Sequence, residues 1–256
     1  MKIIKVETSE GAQDKNEGCQ EAPSKILEEL KNIHTNEFWK KPFYQIDSVE
    51  IKNDLKEDMK AIEEKAVKEQ GVFLGGSHAI TYSIVKGLKR KFKDVGIISF
   101  DAHPDVFKLF DFPSHGDWLL YLIEEGIIKA ENVILVGIRS FHKEELNYLK
   151  EKGIKFFTMK QLFNSLNDVC DSVMESARKF EALHLSLDID VIDPSAAPGT
   201  GCLEPGGLSA REFLHFIQRL KNLGNLKNVD LVEVNPRKDI NGMTVKLAAK
   251  ILGEFS

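Results

Sequence analysis

Along this chain, short and near-continuous apolar runs alternate with longer segments whose apolar residues recur every three or four positions. The runs Ile3–Val6, Phe43–Ile51, Val72–Leu74, Val95–Phe100, Val133–Ile138, Ile154–Phe157, Ala182–Leu187 and Asn228–Val234 are rich in β-branched and aromatic residues. Such runs suit strands buried on both faces, as in a parallel sheet. In Asn53–Glu69, Leu55, Met59, Ile62 and Ala66 fall on one face of a helix and charged residues fill the rest, so the charge run reads as a solvated face. Comparable patterns predict helices over Lys25–Asn32, Ile80–Phe92, Asp117–Glu125, Lys143–Glu151, Asn167–Phe180, Ala210–Asn222 and Thr244–Glu254. Strand–helix alternation predicts an α/β fold of three layers, αβα, around a mainly parallel sheet of about eight strands. No repeat, linker or biased tract interrupts it, so residues 1–256 read as one domain.

Composition narrows the function classes. Hydrophobic residues make up 42% and charged residues 29% of the 256 positions, which excludes global disorder. A net charge of -5 argues against a nucleic-acid partner bound through a basic face. No apolar run reaches the roughly 18 residues that span a bilayer, so no membrane partner is expected. The segment Met1–Glu7 turns polar too soon for a signal peptide. Cys19, Cys170 and Cys202 are widely spaced with no CxxC pattern, so the expected home is a reducing cytoplasm.

The least regular stretches are Thr8–Gly18, Asn36–Lys41, Ala102–Gly116 and Asp188–Leu208. Two follow predicted strands directly, where open α/β sheets bind ligands. Three segments carry the chemistry: Leu74-Gly75-Gly76-Ser77-His78, Ile97–Asp105 and Leu185–Pro194. Asp101, His103 and Asp105 occupy alternate positions, which share a face while the chain stays extended. Asp188 and Asp190 repeat the device. A lone DxHxD is more often a set of caps and turn residues than a site. Three such segments, each at a strand end, favour a shared centre. Clustered carboxylates repel unless a cation offsets them, and mixed carboxylate and imidazole donors suit Mn, Fe, Zn or Co better than Ca or Mg. Six candidates, His78, Asp101, His103, Asp105, Asp188 and Asp190, are more than one ion needs and fit a two-metal site. No GxxxxGK[ST] or GxGxxG pattern supports nucleotide binding.

At these residues the sequence resembles the ureohydrolase superfamily of arginase, agmatinase and formimidoylglutamase. Ile97–Asp105 is similar to its DAHxD signature, and Ser186–Gly207 to SxDxDxxDP…PGxG…PGG. Leu74–Gly87 resembles GGxH, with Ser77 where an acidic residue or Asn is usual. Gly18–Pro23, Asp230–Pro236 and Gly242–Ala249 extend the likeness along the chain. The resemblance implies two Mn²⁺ ions sharing a bridging hydroxide that attacks a guanidinium carbon. His78, Asp101, Asp105 and Asp188 would hold one ion, and Asp101, His103, Asp188 and Asp190 the other. It further implies that Glu233 pairs with the guanidinium and that His115, twelve residues past His103, relays a proton to the leaving amine. Seen alone, Glu233 reads as a salt-bridge partner of Arg237 or Arg139, and His115 as a loop histidine. A homo-oligomer, trimer or hexamer, is also implied.

The small-molecule substrate is then a linear guanidino or amidino compound. The twelve-residue gap and Glu204-Pro205-Gly206-Gly207 look more like agmatinase than arginase, so agmatine is expected, giving putrescine and urea. Arginine, guanidinobutyrate and formiminoglutamate are the alternatives. In the loop Val106–Ser114, Asp111 would attract an ammonium tail and Lys108 a carboxylate. Trp118 reads as packing and His184 as a satisfied core residue. Two other classes compete: a single-zinc deacetylase of similar fold, and a non-catalytic metal-binding relative acting as a binding or assembly module. Ser77 is what favours the latter, because a carboxylate often orients a metal-bound His.

Overall fold

A computed structural model describes residues 1–256, the side chains of Gln13 and Asp14 excepted. The strands are β1 (Lys2–Val6), β2 (Gln45–Ser48), β3 (Gly71–Gly75), β4 (Val95–Phe100), β5 (Val133–Ile138), β6 (Lys155–Thr158), β7 (Ala182–Asp188) and β8 (Leu226–Val232). They form one sheet in the order β2-β1-β3-β8-β7-β4-β5-β6, with every pairing parallel. Every residue of β4, β5 and β7 is buried, as near-continuous apolar runs require of strands covered on both faces.

The helices are α1 (Ala22–Leu30), α2 (Leu55–Lys68), α3 (Ile80–Lys89), α4 (Trp118–Glu124), α5 (Lys143–Lys152), α6 (Met159–Asn164), α7 (Leu166–Ala177), α8 (Ala210–Leu220) and α9 (Met243–Glu254). One layer joins α1, α6, α7, α8 and α9, where Phe213 and Phe216 meet Phe100 of β4 edge-on at 5.4 and 5.1 Å. The other joins α2 to α5, with Val85, Leu88, Trp118, Leu122 and Leu149 against the opposite face of the sheet. Among the described residues, no helix is long and apolar enough to cross a membrane.

Three expectations shift. The strand predicted over Phe43–Ile51 shortens to β2. It is an edge strand paired only with β1, and Phe43 is 75% exposed. Helix α1 starts earlier than Lys25, with Pro23 in its first turn, where a missing N–H costs nothing. Helix α6 is additional and precedes α7. It is six residues long, too short to show a period, and begins with a reciprocal capping box between Thr158 and Gln161.

Candidate metal centre

The four central strands β3, β8, β7 and β4 end together. Leu74 pairs with Leu231, Leu231 with Leu187, and Leu187 with Phe100. The residues just beyond are the Gly75–His78 turn, Glu233, Asp188 and Asp101, so four segments distant in sequence reach one crevice. Gly76 is needed in that turn, because a Cβ there would collide with the carbonyl oxygen of Thr8. Asp105 and Glu233 take left-handed backbone angles, φ 54° and 64°. Non-glycine residues in that region are uncommon and cluster at functional sites.

The cluster is anchored to backbone amides, so its orientation is set before anything binds. Asp101 Oδ1 accepts from the His103 amide at 2.6 Å, Asp188 Oδ1 from the Asp190 amide at 2.8 Å, and Asp190 Oδ1 from the Ala102 amide at 3.0 Å. The second oxygens turn inward. Asp101 Oδ2, Asp105 Oδ2 and Asp188 Oδ2 lie 3.2, 3.1 and 3.1 Å from His78 Nδ1. His103 Nδ1 lies 3.0 Å from Asp190 Oδ2 and 3.3 Å from Asp101 Oδ1. One imidazole nitrogen cannot hydrogen-bond three carboxylates, and His78 Nδ1 has no well-formed hydrogen bond. His78, Asp101 and Asp188 form one group able to hold an ion, and Asp101, His103 and Asp190 a second, sharing Asp101.

The electrostatics suit a cation among these groups. Burial and the charge of Asp101 push the Asp105 carboxyl up to about 8. Burial, with Asp190 and Asp101 nearby, also raises Asp188 well above the usual range. Burial works against a charged His78, but Asp101, Asp105 and Asp188 outweigh it and raise its pKa; Asp190 and Asp101 do the same for His103. Two of the acids, Asp105 and Asp188, and both imidazoles thus hold protons that a divalent ion would displace, while His103 and His78 keep Asp101 below the usual carboxylate range. The donor set fits such an ion.

Hydrogen bonds on the far side of the ring fix His78. Its Nε2 lies 2.9 Å from Ser186 Oγ, and Ser186 donates its hydroxyl proton to Asp230 Oδ1 at 2.7 Å. Ser186 must therefore accept from His78 Nε2–H, which leaves Nδ1 to face the cluster. Asp230 also accepts from Thr81 Oγ1 and His184 Nε2, both at 2.8 Å, and is fully buried. Burial opposes its charge, but His184, His78 and the Ser186 hydroxyl together outweigh burial and keep the carboxyl below its usual range. Ser77, in contrast, accepts from the Ala79 amide at 3.2 Å and fastens the turn. The orienting carboxylate expected beside His78 thus comes from Asp230 through Ser186.

A cavity of about 140 Å³ opens on the cluster, and Asp105, His103, Asp188, Asp190, His115 and Glu233 line it. Glu233 Oε1 accepts from the His78 amide and Oε2 from Asn16 Nδ2, both at 2.6 Å. Among the described residues it has no basic partner. Arg237 pairs with Glu21, while Arg139 donates to the carbonyls of Glu204 and Asp190. The ring nitrogen Nε2 of His115 is buried without a partner, and burial holds its pKa below the ordinary value. Cys202 also lines the wall, its thiol pushed up to about 11 by burial. Lys108 and Asp111 are not brought in. They pair with each other at 2.9 Å, with side chains 60% and 95% exposed, outside the cavity lining.

Several contributors escaped the sequence reading. Trp118 packs, as expected, but its Nε1 also donates to Asp105 Oδ2 at 2.6 Å. Asp117 is fully buried and gathers the amides of Leu109 and Ser114 at 2.9 and 2.6 Å, shaping the loop that carries His115. His184, Ser186 and Asp188 alternate along β7, a polar stripe in a strand buried on both faces. That stripe was the available signal, since buried polar groups require partners.

A sequence model described as "Arginase family" matches residues 1–256. Arginase of Staphylococcus aureus (strain COL) is 35% identical over 198 residues, covering 71% of this chain and 66% of its own length, just under two thirds. In structure, formimidoylglutamase from Bacillus subtilis superposes with a TM-score of 0.92 at 26% identity, over 99% of this chain and 84% of its own. Arginase from Bacillus subtilis superposes with a TM-score of 0.86 at 26% identity, over 100% and 97%. The signatures along four strand ends, the parallel sheet that aligns them and these matches agree: the chain belongs to the arginase family.

Proposed function

We propose that this chain hydrolyses a C–N bond of a linear guanidino or amidino compound at a centre of two divalent ions, manganese first among them. The observation that carries this is the Glu233 carboxylate, free of any described basic partner, on the same cavity wall as Asp105, Asp188, Asp190 and His103 of the cluster. His78, Asp101, Asp105 and Asp188 would hold one ion, and Asp101, His103, Asp188 and Asp190 the other, with Asp101 and Asp188 shared. When bound, such a pair lowers the pKa of water and supplies a strong nucleophile at neutral pH.

The protein's own groups do the rest. Each Glu233 oxygen already accepts one hydrogen bond and keeps a lone pair for the fork of a guanidinium. Two buried donors hold that carboxylate still, so the amidino plane is set on binding. Water adds its oxygen to the amidino carbon, and the C–N bond to the tail breaks. His115, neutral because burial lowers its pKa, takes the proton at its unpartnered Nε2 and delivers it to the departing amine. The products are an amine and urea, or formamide from a formimino substrate.

The module alternative loses its basis, because the orienting role missed at Ser77 is filled by Ser186 and Asp230. We further propose residues 1–256 as one domain that assembles into a trimer or hexamer, which sedimentation would test. A reducing cytoplasm suits its three free thiols. The reaction is tested by product release from the Mn-loaded protein against agmatine, arginine, guanidinobutyrate and formiminoglutamate. Urea or formamide from at least one is expected; silence across the set with two ions bound overturns the proposal.

A further inference from the structure

The cavity has one basic side chain to which the proposed chemistry gives no role. Two divalent ions offset the four aspartates, and a guanidinium offsets Glu233. Glu145 is committed elsewhere: it is buried, and its Oε2 accepts from the His142 amide at 2.8 Å to cap α5. Among the described lining residues, Lys15 is the one lysine or arginine, and none of the described carboxylates pairs with it.

Lys15 is exposed, borders the cavity and is next in sequence to the residue that holds Glu233. It lies in a 3-10 helix, Gln13–Asn16, whose last residue donates to Glu233 Oε2 at 2.6 Å. Asn16 is itself gripped by Asn235 Nδ2 at 2.7 Å, so the helix is pinned to the same strand end as the guanidinium-binding carboxylate. Lys238 Nζ donates to the Lys15 carbonyl and adds a second positive charge nearby. After burial, the charge of Lys15 is among the causes that lower the His115 pKa, so it is felt inside the cavity. Phe107 and Leu109 supply apolar wall suited to a short methylene spacer.

Resting on the proposed reaction, we infer that the substrate's far end carries a carboxylate and that Lys15 binds it, so Lys15 selects the tail. An ammonium tail, as in agmatine, would place like charges together at that point. Asp111, the residue expected to attract an ammonium tail, lies outside the cavity lining.

The test compares 4-guanidinobutyrate, agmatine and uncharged butylguanidine on the Mn-loaded full chain. Wild type should favour 4-guanidinobutyrate over agmatine in kcat/KM. Lys15→Met should lower that ratio by about 10- to 100-fold, chiefly through KM, and Lys15→Glu should tilt it toward agmatine. Dissociation constants of 4-guanidinobutyrate and butylguanidine, measured by calorimetry on the same variants, give a second readout. The inference is overturned if urea is released but wild type prefers the ammonium or uncharged tail, or if Lys15→Met leaves the ratio unmoved; the proposed reaction would then stand. If nothing is turned over with two ions bound, the reaction falls, and the calorimetric ratio alone decides whether Lys15 selects a carboxylate.

Discussion

At His78 one ring nitrogen faces three carboxylate oxygens, and the other is tied through Ser186 to Asp230. The first contact set gives the ring something to bind; the second decides which nitrogen does it. Asp230→Asn keeps the shape but lets Ser186 turn its proton elsewhere. Mn affinity, read by titration, should fall about 10- to 100-fold, and unchanged affinity would remove the orienting role. His115→Ala should retain both ions and slow turnover about 10²- to 10⁴-fold; an equal rate at every pH would strike His115 from the mechanism. The aspartates and histidines of the cluster were legible in the sequence because a strand end delivers alternate residues to one side. Lys108 and Asp111 were misplaced because charge alone does not say which way a loop residue turns. Lys15 was missed for the converse reason: an isolated lysine carries no local signal, and only the pinning of Asn16 brings it to the cavity.

At the level of elements, two carboxylates organise the loops around the cavity. Asp117 ties Leu109 and Ser114 into the turn before α4. Asp117→Ala should leave the ions bound but release His115 and Trp118, so turnover falls while metal content holds at two per chain; a fully active variant would contradict this. Asp193 gathers the amides of Ser195, Gly206 and Gly207 at 3.0, 2.7 and 3.2 Å, closing the loop that follows β7. Ser195 and these amides hold its carboxyl down at about 2. Because the folded value is depressed, its stabilisation is complete above about pH 4 and is lost as pH falls toward 2. Wild type and Asp193→Asn should therefore differ in thermal midpoint near neutrality and converge toward pH 2; a constant gap would contradict the assignment. Strands and helices with strong periods were read correctly. Helix α6 and the shortened β2 were not, since a six-residue capped turn and a sheet edge depend on neighbours rather than on their own pattern.

Across the whole molecule, the centre exists because the sheet order sets β3, β8, β7 and β4 side by side. Each ligand segment was visible alone, and the alternation of strands and helices predicted a parallel sheet. The register that aligns Leu74, Leu231, Leu187 and Phe100 was not visible, because strand order is decided by packing between distant segments. The cavity at those strand ends is lined by residues as far apart as Lys15 and Glu233. The most direct test of a two-ion hydrolytic centre is the initial rate of urea or formamide release from the best-turned-over of agmatine, arginine, 4-guanidinobutyrate and formiminoglutamate as Mn²⁺ is titrated into the metal-free chain. The rate should climb and reach its plateau at two equivalents per chain. A plateau at one equivalent, or no product from any of the four with two ions bound, would contradict a two-ion hydrolytic centre.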